Sequence, residues 1–215
     1  MRCSVEFRDL KAQYRALEPE IVEASLGVLG SGCFIGGPKV AELETRLADY
    51  VGARHCITCA NGTDALQLAL MAWGVGPGDA VFVPDFTFFA SGEAPALLGA
   101  TPAFVDVDER TFNLDPVKLE EAVRFVENET GLLPRAVVAV DLFGLPADYP
   151  AIREVCERHG MLLLETARRL RRLHRRGRWR ARSATSPPRA SSPPSRSAAM
   201  ATAARCSPIR TNGRS

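Results

Sequence analysis

The chain has 215 residues, 46% of them hydrophobic, with 27 Lys+Arg against 25 Asp+Glu and a net charge of +2. That hydrophobic share excludes wholesale disorder, and the lack of any run of about 18 uninterrupted apolar residues excludes a transmembrane helix. The small net charge hides an asymmetry: residues 1–165 hold 13 basic and 25 acidic side chains, a net −12, whereas residues 166–215 hold 14 Arg and no Lys, Asp or Glu, a net +14.

The amino terminus, Met-Arg-Cys-Ser-Val-Glu-Phe, meets acid too early for a secretory leader, so a cytoplasmic location is expected. The glycine-rich stretch Gly30–Pro38 follows no strand pattern; it reads as a turn and loop, not a dinucleotide fingerprint. Lys39 to Val51 places Val40, Leu43 and Leu47 on one helical face. Arg54 to Ala60 reads as a strand that ends at Asn61-Gly62-Thr63-Asp64. An apolar helix follows over Ala65–Trp73, stopped by Gly74. Ala80–Val83 is a short buried strand, trailed by Pro84-Asp85-Phe86-Thr87-Phe88-Phe89 and a small helix near Glu93–Leu98.

Pro102–Val107 reads as the next strand, and Asp115-Pro116 opens a helix with Pro at its tolerated first position. Ala136–Val140 is a β-branched strand, Asp148 caps a helix that Gly160 ends, and Met161–Leu164 is a fifth strand. Strands alternating with helices in this way imply an α/β fold with a mostly parallel sheet covered on both faces. After Glu165 the rhythm stops. Ser183–Ser215 is a Ser/Pro/Ala/Arg mixture that cannot bury a core, so residues 166–215 are expected to form a disordered basic tail.

Ligands of such sheets bind beyond the carboxyl ends of the strands. The loops of interest are therefore Asn61–Asp64, Pro84–Phe89, Asp106–Asp108, Asp141–Gly144 and the segment that follows Leu164. At Asn61–Asp64 a glycine and a threonine open a helix, a natural anion cradle that equally suits an ordinary helix cap. Phe86, Phe88 and Phe89 suit either the face of a planar ligand or the core. Cys56 and Cys59 form a C-x-x-C with no second cysteine pair or spaced His pair; they read as ordinary cysteines, and no metal site is expected.

Five segments taken together resemble the DegT/StrS-type sugar aminotransferases: Gly-Pro-Lys-Val-Ala-Glu-Leu-Glu (37–44), Cys-Ala-Asn-Gly-Thr-Asp-Ala-Leu-Gln (59–67), Gly-Val-Gly-Pro-Gly-Asp (74–79), Pro-Asp-Phe-Thr-Phe-Phe-Ala-Ser (84–91) and Phe-Val-Asp-Val-Asp (104–108). Within that family the chain is most similar to the enzymes that act on UDP-linked 3-keto-uronic acid sugars. The resemblance implies the large domain of fold type I, the cofactor pyridoxal 5′-phosphate, a nucleotide-sugar substrate, an amino donor and a homodimer. It implies that Gly62 and Thr63 bind the cofactor phosphate and that Phe88 stacks on its ring. It reaches from about residue 5 to Glu165, the first half of a usual family member.

Three family residues, an Asp, a Gln and a Lys, are missing. Where the family reads Glu-Asp-Ala-Ala-Gln, with an Asp for the pyridine nitrogen, this chain reads Glu165-Thr166-Ala167-Arg168-Arg169. The Schiff-base lysine of Ser-Phe-Phe-Pro-Ser-Lys-Pro-Leu-Gly is absent too, and Lys11, Lys39 and Lys118 lie outside any such motif. No catalytic residue is therefore assigned, and the chain is expected to be inactive. The missing remainder of the family's sheet also implies an open edge and poor folding.

The tail offers its own explanation. Give GC-rich codons to Ser191–Pro208 and begin each at the third nucleotide, and the reading is Phe-Phe-Pro-Ser-Lys-Pro-Leu-Gly-Cys-Tyr-Gly-Asp-Gly-Gly-Ala-Val-Phe-Thr. That is the family's lysine segment, its lysine codon straddling Pro194 and Ser195. Residues 166–215 are thus expected to be an out-of-frame reading. Two other readings stand beside it. The nine Arg of 168–182, with Trp179, would serve a polycationic arm for nucleic acid or another polyanion, and the intact loops alone would serve a non-catalytic cofactor-binding protein.

Overall fold

The computed structural model describes residues 9–51 and 53–166, with three short strand segments beyond them. Helix α1 spans Leu10–Ser31; the Asp9 carboxylate accepts from the Ala12 N–H at its start, and Gly32, at φ 66°, turns the chain left-handed at its end. This corrects the sequence reading, because Gly30 and Ser31 form the last turn of a helix and not a loop. The helix buries no residue. Helix α2 (Pro38–Val51) follows and buries Leu47.

Strand β1 is only Thr58–Cys59, then α3 (Gly62–Ala72), β2 (Asp79–Pro84), α4 (Ala90–Leu97) and β3 (Thr101–Val105). Helix α5 (Pro116–Glu129) carries Asp115 at its cap, accepting from Val117 N–H at 2.7 Å. It leads to β4 (Leu133–Val140), a short 3-10 turn at Leu142–Gly144, α6 (Tyr149–Arg158) and β5 (Leu162–Thr166). Gly160, at φ 67°, makes the sharp turn from α6 into β5. Further on, β6 (Leu173–Arg175) and β7 (Arg178–Arg180) pair antiparallel, and β8 (Met200–Ala201) pairs antiparallel with β1. Apart from Thr166 and these segments, the expected disordered tail lies outside the described residues.

The main sheet has the order β3-β2-β4-β5 with every pair parallel. Five strands were expected in it and four are present. The segment Arg54–Ala60 yields only the two residues of β1, laddered to β8 outside this sheet, because an extended chain becomes a strand only where a partner meets its backbone groups.

Alternation along the central strands divides the core in two. Ala80, Phe82, Val137 and Ala139 face α5 and α6, packing with Leu119, Val123, Ile152 and Val155. Val81, Val83, Ala136 and Val138 face the other way, against Leu66 and Leu70 of α3 and Ala90 and Ala94 of α4. Ala80–Val83 of β2 and Ala136–Ala139 of β4 are fully buried on both faces, as a parallel sheet requires. The carboxyl ends of β2, β4 and β5 therefore meet at one rim. Asp85 N–H donates to Val105 O at 2.9 Å, and Asp141 N–H donates to Thr166 O at 2.9 Å, so the last rungs hold at that rim.

Candidate functional site

Asn61 caps α3 in extended backbone, φ −159° and ψ 176°. Its side-chain oxygen accepts from Asp64 N–H, and its Nδ2 donates to the Asp64 carboxylate, each at 2.9 Å. The intrahelical ladder begins with Ala65 N–H to Asn61 O. The N–H groups of Gly62 and Thr63 precede that ladder and carry the positive end of the helix dipole, a place for an anion. Both residues are half-buried.

A carboxylate from a different helix fixes the approach to this turn. Glu44 of α2 accepts from Thr58 N–H at 2.8 Å and from Thr58 Oγ1 at 2.9 Å. Those bonds, the backbone one first, hold its carboxyl below the ordinary value. Next along, Cys59 Sγ donates to Asn61 O at 3.3 Å. Cys56 and Cys59 are half-buried thiols whose pKa values burial pushes up. Nothing in that environment activates a thiolate.

At the end of β2, Phe86 packs against Phe112 with the rings tilted, centroids 5.6 Å apart and planes at 51°. Phe88 stays 71% exposed, so its ring face remains open at the rim. Asp106 and Asp108 serve their own turn: Asp108 accepts from Thr111 N–H and Oγ1 and from Arg110 N–H. The Thr111 backbone bond leads in holding that carboxyl low.

The Asp141–Gly144 loop is also committed to structure. Asp141 is buried and accepts from Tyr149 OH at 2.6 Å and from Ala147 N–H at 3.1 Å. Buried Asn113, from the loop after β3, donates to Leu145 O at 3.1 Å and accepts from Leu142 N–H at 3.1 Å. Between those anchors Phe143 is held at φ 52° with its ring 74% exposed. Asn113 went unnoticed in sequence reasoning, since nothing in Phe-Asn-Leu marks an asparagine that reaches across to another loop.

At the end of β5 the buried Glu165 carboxylate accepts from Arg153 at 3.0 Å. Lys39 pairs with Glu42 on α2 and Lys118 with Glu121 on α5, while Lys11 lies on α1. None of the three stands in the rim loops. Among the described residues no group of three or more His, Cys, Asp or Glu is arranged to hold a metal ion, and no helix is long and apolar enough to cross a membrane. The start of α3 thus offers a place for an anion at Gly62 and Thr63, and the end of β2 carries the exposed ring of Phe88, with no lysine in either loop.

A profile of the DegT/DnrJ/EryC1/StrS aminotransferase family matches residues 15–169. The chain is 48% identical over 165 residues to the UDP-2-acetamido-2-deoxy-3-oxo-D-glucuronate aminotransferase of Pseudomonas aeruginosa, covering 76% of this chain and 44% of that protein. Its fold is similar to a DegT DnrJ EryC1 StrS aminotransferase from Brucella abortus, with TM-score 0.73 and 48% identity over 75% of this chain and 43% of the other. It is also similar to NtdA from Bacillus subtilis, solved with bound cofactor PMP, with TM-score 0.69 and 30% identity over 77% of this chain and 37% of the other. The chain spans less than half the length of each of these relatives.

Proposed function

The chain belongs to the DegT/DnrJ/EryC1/StrS aminotransferase family, and on that premise we propose that it is the amino-terminal part of a pyridoxal-phosphate-dependent aminotransferase of a nucleotide-linked keto sugar. A UDP-linked 3-keto-uronic acid sugar is the substrate its similarity to the Pseudomonas protein favours, with an amino acid as donor and a homodimer as the complete enzyme. The observation that carries this reading is the Asn61–Asp64 turn, where half-buried Gly62 and Thr63 open helix α3, which packs Leu66 and Leu70 on a parallel sheet.

The residues present fit part of the cofactor. Gly62 and Thr63 suit its phosphate, and the open ring of Phe88 suits the face of its pyridine. The other end does not fit. The carboxylate at the end of β5 is Glu165, already held by Arg153, and Thr166 stands where the family places Asp. The lysines at 11, 39 and 118 lie on α1, α2 and α5. When bound in a complete site, the cofactor supplies an electron sink for exchanging an amino group between donor and ketone. This chain has neither the amine to anchor the cofactor nor the acid to tune it, so we assign it no catalytic activity.

The domain division follows: residues 1–165 form a partial cofactor-binding domain, and 166–215 are an out-of-frame continuation. Two measurements test the proposal. Purified chain is mixed with pyridoxal phosphate, reduced with borohydride and examined for attached cofactor; none is expected, and stoichiometric attachment to a lysine would overturn the inactivity. The gene is resequenced across the codons for Glu165–Arg168. A continuous frame through to Ser215 would overturn the frameshift.

A further inference from the structure

On the helical layer of the fold, His159 joins α6 to α5. It caps α6 and is largely buried, its side chain 12% exposed. Its Nδ1 lies 3.0 Å from Glu127 Oε1 and its Nε2 lies 3.2 Å from Glu120 Oε1. Both partners are carboxylate oxygens, which only accept. A neutral imidazole has one N–H, so it satisfies one contact and turns a lone pair on the other oxygen. Only the imidazolium donates to both.

The charges around the ring divide: Glu127 and Glu120 favour the imidazolium, while two arginines share Glu120 with it and oppose it. On α5, Arg124 pairs with Glu120 at 2.9 Å; from α6, Arg158 pairs with Glu120 and, at 3.5 Å, with Glu154. Lys118 and Glu121 pair with each other elsewhere on α5. Directly after His159 come the left-handed Gly160 and then Met161, which is buried in the α5/α6 core face and opens the path into β5.

We propose that the Glu127–His159–Glu120 bridge is a proton-operated clasp, which holds the α6–β5 turn against α5 while His159 is an imidazolium and releases it as the pH rises. Burial works against the charged ring, but the hydrogen bonds to Glu127 and Glu120 outweigh it and raise the pKa above the ordinary 6.5. A raised histidine contributes fully below 6.5 and loses its contribution as pH climbs through the folded value. For Glu120, burial again opposes, and His159, Arg124 and Arg158 prevail in lowering its pKa from 4.5. Its contribution is present above 4.5 and lost as pH falls through the lower folded value. The clasp is therefore tightest between 4.5 and 6.5.

The test measures deuterium exchange at the C2 position of each of the three histidines by mass spectrometry of the full 215-residue chain, which yields a titration midpoint for each ring. Amide exchange of the 156–162 segment is followed at about pH 6 and about pH 8, corrected for the intrinsic rate. The His159 midpoint is expected above 6.5, and protection of that segment should fall several-fold at the higher pH. In H159Q the segment should lose its pH dependence. Should H159Q not fold, E127Q decides, since it removes one negative charge from beside the ring while keeping an oxygen that can accept, and must lower the His159 midpoint. A His159 midpoint at or below 6.5, an unchanged midpoint in E127Q, or undiminished pH dependence in H159Q would overturn the clasp.

Discussion

Replacing Asn113 with alanine probes the anchoring of the rim loops. Asn113 is 3% exposed, and its amide ties the loop after β3 to both Leu142 N–H and Leu145 O. Two hydrogen bonds contribute about 1 kcal/mol each, and a backbone group left buried and unpaired adds about 1–3 kcal/mol. Alanine fills none of the space, and water reaching the vacated amide site would relieve part of that penalty, so the loss should be about 2–4 kcal/mol. Urea unfolding measures it, with the slope checked for constancy so that the midpoint reports stability. Amide exchange supplies the local readout: Leu142 N–H should exchange faster in N113A by a factor matching the local loss. The reasoning fails if N113A unfolds within about 0.5 kcal/mol of the parent, or if Leu142 N–H keeps its protection.

The neighbouring Phe143 should behave oppositely for a core-sized side chain. Its ring is 74% exposed at φ 52°, so in F143G relief of left-handed strain and the extra freedom of unfolded glycine nearly cancel, and unfolding should shift by no more than about 0.5 kcal/mol. Leu70→Ala, at a side chain with no exposure, should instead cost about 3 kcal/mol in the same assay. Burial pushes the Cys156 thiol up to about 12, so at mildly alkaline pH it should resist alkylation while exposed Cys33 reacts, as peptide mass mapping would show. Because Glu44 is held below 4.5 by its bonds to Thr58, protection of Thr58 N–H should persist above 4.5 and fade as acid passes the lower folded value. E44Q should abolish that pH dependence in an amide-exchange series.

Most of the sheet was legible because its strands are short β-branched runs between caps with clear chemistry. Asp115-Pro116 and Asp148 start α5 and α6 as their side chains dictate, and Gly160 ends the second. The rim loops were legible for the same reason, since they follow strands that periodicity locates. Helix α1 was not, because periodicity finds a helix through the face it buries, and α1 buries none. The shortness of β1 depends on which strand lies beside it, a fact outside the segment Arg54–Ala60. The Asn113 bridge and the Phe143 backbone arise from meetings between residues about thirty positions apart, which no local pattern encodes.

The strand order also fixes a sequence of events in time. As the chain is made, β2 appears first among the sheet strands, β3 joins one side of it, β4 the other, and β5 adds beside β4. Each newcomer docks on an existing border, and none has to wedge between two strands already paired. The sheet can thus grow on the ribosome without undoing earlier work. Growth by accretion leaves the newest strand as a border at every stage, so once Thr166 is made β3 and β5 border the four strands described.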